Sequence, residues 1–259
     1  MRIAWKSVRT AVLCLVATAC GGNDDNFEVI PVATRDTRVL LFSKTAAFRH
    51  GSIEAGIEAL GVLATEHGIS LDHTENAAVF SPESLAIYGA VIFLSTTGDV
   101  LDAGQQEAFT SYIRSGGAFV GIHAASDTEF DWPWYGELVG GYFDGHPGNP
   151  NVREGTILVV EPDHPATASL PSTWVRRDEW YDIRDFQTAV TVLLDVDEGS
   201  YKRAEETPAA EPRPIAWART FDGGRTFYTA LGHTMESYTD TDFLRHVWGG
   251  LEWALDTGN

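Results

Sequence analysis

Apolar segments of strand length alternate with helical patterns through the first half of the chain beyond residue 36. Four segments predict strands: 37–43, 69–74, 89–95 and 118–123, of which 37–43 and 118–123 have the apolar run expected of a strand buried on both faces. One helical pattern begins after Ser52, and a second begins after Asp102, where Gln105 completes a capping box. Because strands alternate with helices, the pattern predicts a parallel sheet with right-handed crossovers.

The second half has a different pattern, in which strands follow one another with few helices between them. The predicted strands are 153–161, 189–197, 214–220 and 225–232. Gly223 and Gly224 predict a hairpin turn between the last two strands, residues 198–213 form a polar excursion, and a helical pattern over 243–255 closes the chain. We therefore expect one α/β domain over residues 36–259, with a mostly parallel sheet flanked by helices and extra strands in the second half.

The first 35 residues do not share these patterns. Residues 1–19 start with basic residues and contain an apolar run that is shorter than the roughly 20 residues needed to span a bilayer. This is typical of a secretory signal peptide. Small residues lead to Cys20 as in a bacterial lipobox, although Ala17 stands where a lipobox usually has Leu. We expect a signal peptide at 1–19, lipid on Cys20, a flexible tether over 20–35 and an extracytoplasmic, membrane-anchored location. Secretion with cleavage nearby is the alternative.

Charge and cysteine content narrow the possible functions. The chain has 18 basic and 37 acidic residues and a formal charge of −19, which becomes −22 once Arg2, Lys6 and Arg9 leave with the signal peptide. Because such an acidic surface repels phosphate, we expect no nucleic-acid partner. Cys20 is the only cysteine beyond residue 19. The folded domain therefore has no disulfide, no cysteine zinc site and no thiol nucleophile.

Histidines follow three of the predicted strands at their carboxyl ends, where ligands bind in open parallel sheets. These are His50, His123 and His233, and we expect them to converge. The segment from Gly121 to Ala125 has the sequence pattern of a nucleophile elbow. His123 stands in the place of the nucleophile and is followed by two alanines. A histidine there can act as an acid, a base or a metal ligand. The alternative is that it caps a loop.

Aromatic residues and further histidines suggest what such a site would bind. Trp132 and Trp134 lie in an aromatic segment after the elbow, and flat rings suit the C–H faces of sugars. A small core under a long loop is the alternative for these rings. The candidate metal ligands are His50, His123, His146 and His233, which with Glu179 include the residue types of a zinc or other divalent site. Because no local metal-binding motif supports it, no cofactor is certain.

Several ordered motifs resemble the ThuA-like, or trehalose-utilisation, family over about residues 37–257. They are FRHGSI (48–53), GGAFVGIHAA (116–125), GGYFDGHP (140–147), RRDEWYDI (176–183) and FYTALGH (227–233). The resemblance implies a class I glutamine amidotransferase-like, flavodoxin-type fold that has lost its elbow cysteine. It also implies a role in the metabolism of keto-sugars or glycosides. Since His123 occupies the elbow, we expect a protein that is not a glutamine amidotransferase.

The resemblance also points to particular polar residues. The recurrent positions of the family fall on Arg49, His50, His123, His146, Glu179 and His233. We expect His123 and His233 to exchange protons while Glu179 assists. The substrate-binding candidates are Arg49, His50, His146, Trp132 and Trp134, although Arg49 could equally anchor its loop through a carboxylate. The expected function is a sugar isomerase, lyase or hydrolase, and the alternative is a non-catalytic carbohydrate-binding lipoprotein.

Overall fold

A computed structural model describes residues 37–202 and 213–255 of the chain. The expected signal peptide, the lipidated Cys20 and the tether lie outside the described residues, as does most of the expected excursion over 198–213. Within the described ranges, no helix has both the length and the apolar character that crossing a membrane requires.

Eleven strands lie in the part of the chain that the structure describes. They are β1 (Arg38–Phe42), β2 (Ser70–Thr74), β3 (Ala90–Leu94), β4 (Ala118–Ile122), β5 (Tyr142–Gly145), β6 (Val152–Val159), β7 (Thr173–Glu179), β8 (Asp182–Arg184), β9 (Thr191–Asp197), β10 (Arg213–Phe221) and β11 (Gly224–Thr229). All eight strands expected from the sequence are present. β5, β7 and β8 are additional.

Nine of these strands form one sheet in the order β2-β1-β3-β4-β11-β10-β9-β6-β7. Neighbours from β2 to β11 are parallel, and neighbours from β11 to β7 are antiparallel. β5 and β8 pair separately as an antiparallel ribbon. The parallel half carries the alternation of strands and helices that the sequence predicts, and the antiparallel half contains the extra strands.

Five α-helices accompany the sheet in the described residues. They are α1 (Ile53–Glu66), α2 (Pro82–Leu85), α3 (Ala103–Arg114), α4 (Pro133–Val139) and α5 (Thr241–Leu255). α3 begins with the predicted capping box, because the Asp102 side chain accepts from the Gln105 backbone and the Gln105 side chain accepts from the Asp102 backbone. α1 begins after Ser52, as the pattern predicts. Ser52 occupies the N-cap position but makes no side-chain cap, and its hydroxyl donates instead to the carbonyl of Gly232 at 3.1 Å.

Aromatic packing supports the parallel half of the sheet. Phe42, Phe93 and Phe119 lie on β1, β3 and β4, and each is fully buried. Phe109 of α3 stacks on Phe93 with ring centroids 5.5 Å apart. Burying a phenylalanine side chain contributes about 2–3 kcal/mol to folding. This core gives the strand ends above it a rigid base.

The register of the parallel strands brings their carboxyl ends to one edge. Ile122, the last residue of β4, pairs with Leu94 of β3 on one side and Thr229 of β11 on the other. Phe42, the last residue of β1, pairs with Phe93 of β3. The segments that follow β1, β3, β4 and β11 therefore emerge side by side at this edge.

Candidate functional site

Three histidines and one glutamate meet at the carboxyl edge of the parallel strands. We call His50, His123, His233 and Glu179 the His₃Glu cluster; each offers one ligand atom, and these four atoms lie within 4.8 Å of one another. His123 Nε2 is 3.2 Å from His50 Nε2 and 3.1 Å from His233 Nδ1. Glu179 Oε2 is 3.0 Å from His233 Nδ1. The three histidines expected at strand tips thus share one site.

His123 occupies a strained bend directly after β4. Its φ of 53° lies in the left-handed region, which residues other than glycine adopt uncommonly. A Cβ at Gly121 would come within 3.0 Å of the Tyr228 ring and 3.3 Å of the Ala125 Cβ, so the elbow needs its small residues. His123 Nδ1 donates to the carbonyl of Ala230 at 2.7 Å. This bond fixes the tautomer, so the lone pair of the His123 ring lies on Nε2, which faces the cluster.

His233 is positioned by a buried carboxylate on β7. Asp178 accepts the backbone N–H of Gly232 at 3.0 Å and that of His233 at 3.1 Å. The carboxylate is itself paired with Arg176 at 3.1 Å, and both side chains are buried. Gly232 has a φ of 113°, which favours glycine. The Ser52 hydroxyl also donates to the carbonyl of Gly232, so this loop is held on both sides and directs His233 into the cluster.

His50 ends the loop that follows β1. Thr97 anchors this loop by donating to the carbonyl of Phe48 at 2.7 Å, and the Phe48 ring packs edge-on against His50 with centroids 4.8 Å apart. Burial, and then the nearby imidazoles of His123 and His233, lower the pKa of His50 to about 3. His50 is therefore a neutral imidazole at physiological pH. Its buried Nδ1 has no hydrogen-bond partner among the described residues.

Glu179 supplies the negative charge of the site and is only 3% exposed. Burial by itself would raise its pKa, but the adjacent imidazoles of His123 and His233 and a hydrogen bond from Asn151 outweigh that effect and hold the pKa well below its usual range. The pKa of His233 is raised because Glu179 outweighs the opposing effect of burial. His146 lies beside the other carboxylate oxygen, with Nε2 3.4 Å from Glu179 Oε1.

Tyr181 completes the inner surface of the site, and sequence reasoning missed it. Its hydroxyl is 2.9 Å from His123 Nε2. Its ring stacks on His123 at a centroid distance of 4.4 Å and contacts Phe143 at the same distance. The roles of Asp178 and Asn151 were also missed. Tyr181 and Asp178 lie in the RRDEWYDI motif on either side of Glu179, and that proximity is the one signal that could have found them.

Three predicted substrate-binding residues make their contacts elsewhere. Arg49 pairs with Glu54 at 2.7 Å and Glu75 at 2.8 Å, which favours the loop-anchoring alternative. Trp132 and Trp134 stack on each other with centroids 5.0 Å apart. Trp134 also donates to Asp222, in the turn between β10 and β11, and this turn lies at the end of β11 away from His233. These contacts favour the packing alternative, and substrate contact by Arg49 and the two tryptophans stays a prediction.

The donor set of the His₃Glu cluster fits a divalent transition metal. Three imidazole nitrogens and a carboxylate oxygen are the ligands that zinc and its first-row neighbours prefer. His50 Nε2, His233 Nδ1 and the Tyr181 hydroxyl all lie within 3.2 Å of His123 Nε2. Imidazole nitrogens that face one point satisfy one another poorly but bind a cation well. The residues present therefore have the chemistry and the proximity of a metal centre.

Comparison with known proteins agrees with this organisation. The model of the ThuA family, described as trehalose utilisation, matches residues 38–254. The chain belongs to the ThuA family. The family expected from the motifs is confirmed. A comparison with curated proteins found no match.

Solved structures confirm the ThuA-like fold. A ThuA-like protein from Bacteroides uniformis is 21% identical, with a TM-score of 0.72 over 90% of this chain and 97% of that chain. A second, from Parabacteroides merdae, is 18% identical, with a TM-score of 0.69 over 86% and 92% of the two chains. A protein described as a GMP synthase subunit from Thermoplasma acidophilum is 10% identical, with a TM-score of 0.50 over 85% and 94%. At these identities the likeness shows the fold alone.

Proposed function

We propose that this ThuA-family protein is a metal-dependent enzyme that acts on a carbohydrate bearing a carbonyl group, such as a keto-sugar or a keto-glycoside. The observation that carries the proposal is the convergence of three imidazole nitrogens and one buried carboxylate oxygen within 4.8 Å. The family description, trehalose utilisation, supports a carbohydrate as the substrate class. Isomerisation, elimination and hydrolysis all begin with activation of such a carbonyl or of its neighbouring bonds.

Ligand roles for His50, His123, His233 and Glu179 replace the acid–base roles that the sequence suggested for three of them. A bound divalent ion would polarise the substrate carbonyl and so acidify the neighbouring C–H bond. His123 is oriented for this role by Ala230, and His233 by Asp178. The ring hydrogen bond of His123 is of the kind usual for metal-binding histidines, whereas Asp178 holds His233 through its backbone N–H.

His146 is the histidine that remains available to move protons. Its Nδ1 donates to the carbonyl of Pro147 at 3.0 Å, so its Nε2 carries the lone pair. The side chain is 37% exposed and lies beside the outer oxygen of Glu179, where a substrate can reach it. In the proposed reaction, His146 takes a proton from the carbon next to the carbonyl.

Apolar side chains around the cluster suit a sugar ring. Phe48 packs against His50 and is 64% exposed, and Met235 follows His233 by two residues and is 59% exposed. Phe143 packs at a tilt against the Tyr181 ring, with centroids 4.4 Å apart. Such surfaces bind the C–H faces of pyranoses while polar groups bind the hydroxyls.

Metal content and turnover together test the proposal. We expect the purified full-length protein to bind about one divalent ion per chain and to convert a keto-glycoside from a panel of glycosides and 3-keto-glycosides. Chelation should abolish turnover, and the added ion should restore it. His50→Ala and Glu179→Gln should lose the ion, whereas His73→Ala should keep it, because His73 is bonded to Ser43 outside the cluster. Unchanged turnover without metal would refute the proposal, and sugar binding without turnover would favour the carbohydrate-binding alternative.

We also propose that the protein is exported and held on a membrane by lipid on Cys20. Support comes from the basic, apolar and small-residue pattern of positions 1–20. Labelled palmitate should enter the native protein but not Cys20→Ser, which should leave the membrane fraction. Label in both proteins would contradict the proposed site.

A further inference from the structure

We infer that Tyr181 is a catalytic residue of the proposed reaction: its hydroxyl donates a hydrogen bond to the substrate oxygen on which negative charge develops. This inference rests on the proposed function. It concerns a residue outside the His₃Glu cluster whose position is fixed by contacts that the described residues make with one another.

The Tyr181 hydroxyl is hydrogen-bonded to a nitrogen that, in the proposed function, binds the metal ion instead. His123 Nδ1 donates to Ala230, so Nε2 is the acceptor for the Tyr181 hydroxyl at 2.9 Å. The same nitrogen belongs to the donor set that fits a metal. When its lone pair is used for an ion, the Tyr181 hydroxyl loses this hydrogen bond and needs another acceptor.

Packing prevents the phenol from turning away to find one. Tyr181 lies in the turn between β7 and β8 and is 2% exposed. Its ring is in contact with His123 and with Phe143, each at a centroid distance of 4.4 Å. Since a buried donor without a partner is costly, a substrate oxygen that enters the site is the natural acceptor.

The hydrogen bond would act where the charge appears. When the base removes the proton next to the carbonyl, the C–H electron pair forms a carbon–carbon double bond and the carbonyl π pair moves onto the oxygen. Tyr181 keeps its proton and stabilises that oxygen through the O–H group, as donors in an oxyanion hole do. Loss of one such donor typically lowers kcat about 10²–10³-fold.

Tyr181→Phe removes only the hydroxyl and is the decisive variant. Oxalate is a suitable probe, because its adjacent anionic oxygens resemble an enediolate. The full-length proteins would be loaded with Co²⁺, whose visible absorption reports both uptake of the ion and binding of oxalate. Tyr228→Phe is the matched control, since its buried hydroxyl also contacts His123, but through the backbone carbonyl at 2.9 Å.

We expect Tyr181→Phe to take up Co²⁺ as the parent does and to bind oxalate about tenfold or more weakly. Tyr228→Phe should bind oxalate like the parent. Equal oxalate affinity in Tyr181→Phe and the parent would overturn the inference while leaving the metal site intact. Weakened Co²⁺ uptake in Tyr181→Phe would overturn it too, because Tyr181 would then be a ligand. Failure of the parent to take up Co²⁺ would refute the proposed function and the inference with it.

Discussion

Replacing Asp178 by asparagine should both destabilise the domain and loosen the site. The Asp178 carboxylate accepts three backbone N–H groups, those of Glu179, Gly232 and His233, and it pairs with Arg176. An asparagine keeps one acceptor oxygen but places an NH₂ group where Oδ2 now meets the Gly232 N–H and the Arg176 guanidinium. Two donor–acceptor contacts then become donor–donor contacts in a fully buried place.

The loss of folding free energy expected for Asp178→Asn follows from the burial of the ion pair with Arg176. Removing one partner of a buried ion pair costs about 3–5 kcal/mol, since the other charge is left uncompensated. Arg176 keeps its bond to Ser237 at 2.7 Å, so we expect a loss near the lower end, about 3 kcal/mol. For a domain of this size that corresponds to roughly 6–12 °C in Tm. The freed loop should also reduce the affinity of the site for metal, because Asp178 orients His233.

Asp240→Asn provides the matched control. Asp240 meets the same arginine at 3.4 Å, but its side chain is 33% exposed. It also accepts the backbone N–H of Asp242 at the start of α5, and asparagine caps helices equally well. We expect a loss below about 1 kcal/mol. Urea unfolding with chelator present measures both variants without stabilisation by metal. If Asp178→Asn unfolds within 1 kcal/mol of the parent, Asp178 does not hold the loop as described.

Three further predictions follow from other contacts. Burial lowers the pKa of His246 from its usual 6.5 to about 4, so its neutral form stabilises the fold above pH 6.5 and this contribution is lost as the pH falls toward 4; Tm should therefore fall less between pH 6.5 and 4 in His246→Gln than in the parent. Trp134→Phe loses the bond to Asp222 and part of the ring packing around it, away from His233, so KM should be unchanged; a raised KM would show that Trp134 contacts the substrate. Gly121→Ala should cost about 1–3 kcal/mol and weaken metal binding, whereas Gly61→Ala, where a Cβ meets nothing within 4 Å, should slightly raise Tm; equal effects of the two would contradict the tight elbow.

The parallel half of the sheet could be predicted because its central strands β1, β3 and β4 are apolar on both faces. β7 could not, because its inward positions carry charge. Arg176 and Asp178 are buried there, while Val175, next to Arg176, is exposed. This inverts the alternation expected of a strand that lies on a core. β8, with three residues, is too short to leave a pattern.

Only the part of the site that follows from the order of the strands could be predicted from the sequence. His50, His123 and His233 follow parallel strands, and the shared edge of those strands brings them together. Glu179 comes from the edge strand of the antiparallel half, and only the family motif pointed to it. Tyr181 joins the site through its contact with His123, which lies 58 positions away in the chain, and no local spacing encodes such a contact.

The sheet draws the four donors from both of its halves, with three following parallel strands and the fourth ending an antiparallel one. A chain that has completed only the parallel half can offer histidines but no carboxylate. High-affinity uptake of metal would then mark a finished domain, and an unfinished one would compete poorly for the ion. Metal supply would in turn favour completion of the fold, because binding to the native state alone draws the folding equilibrium toward it.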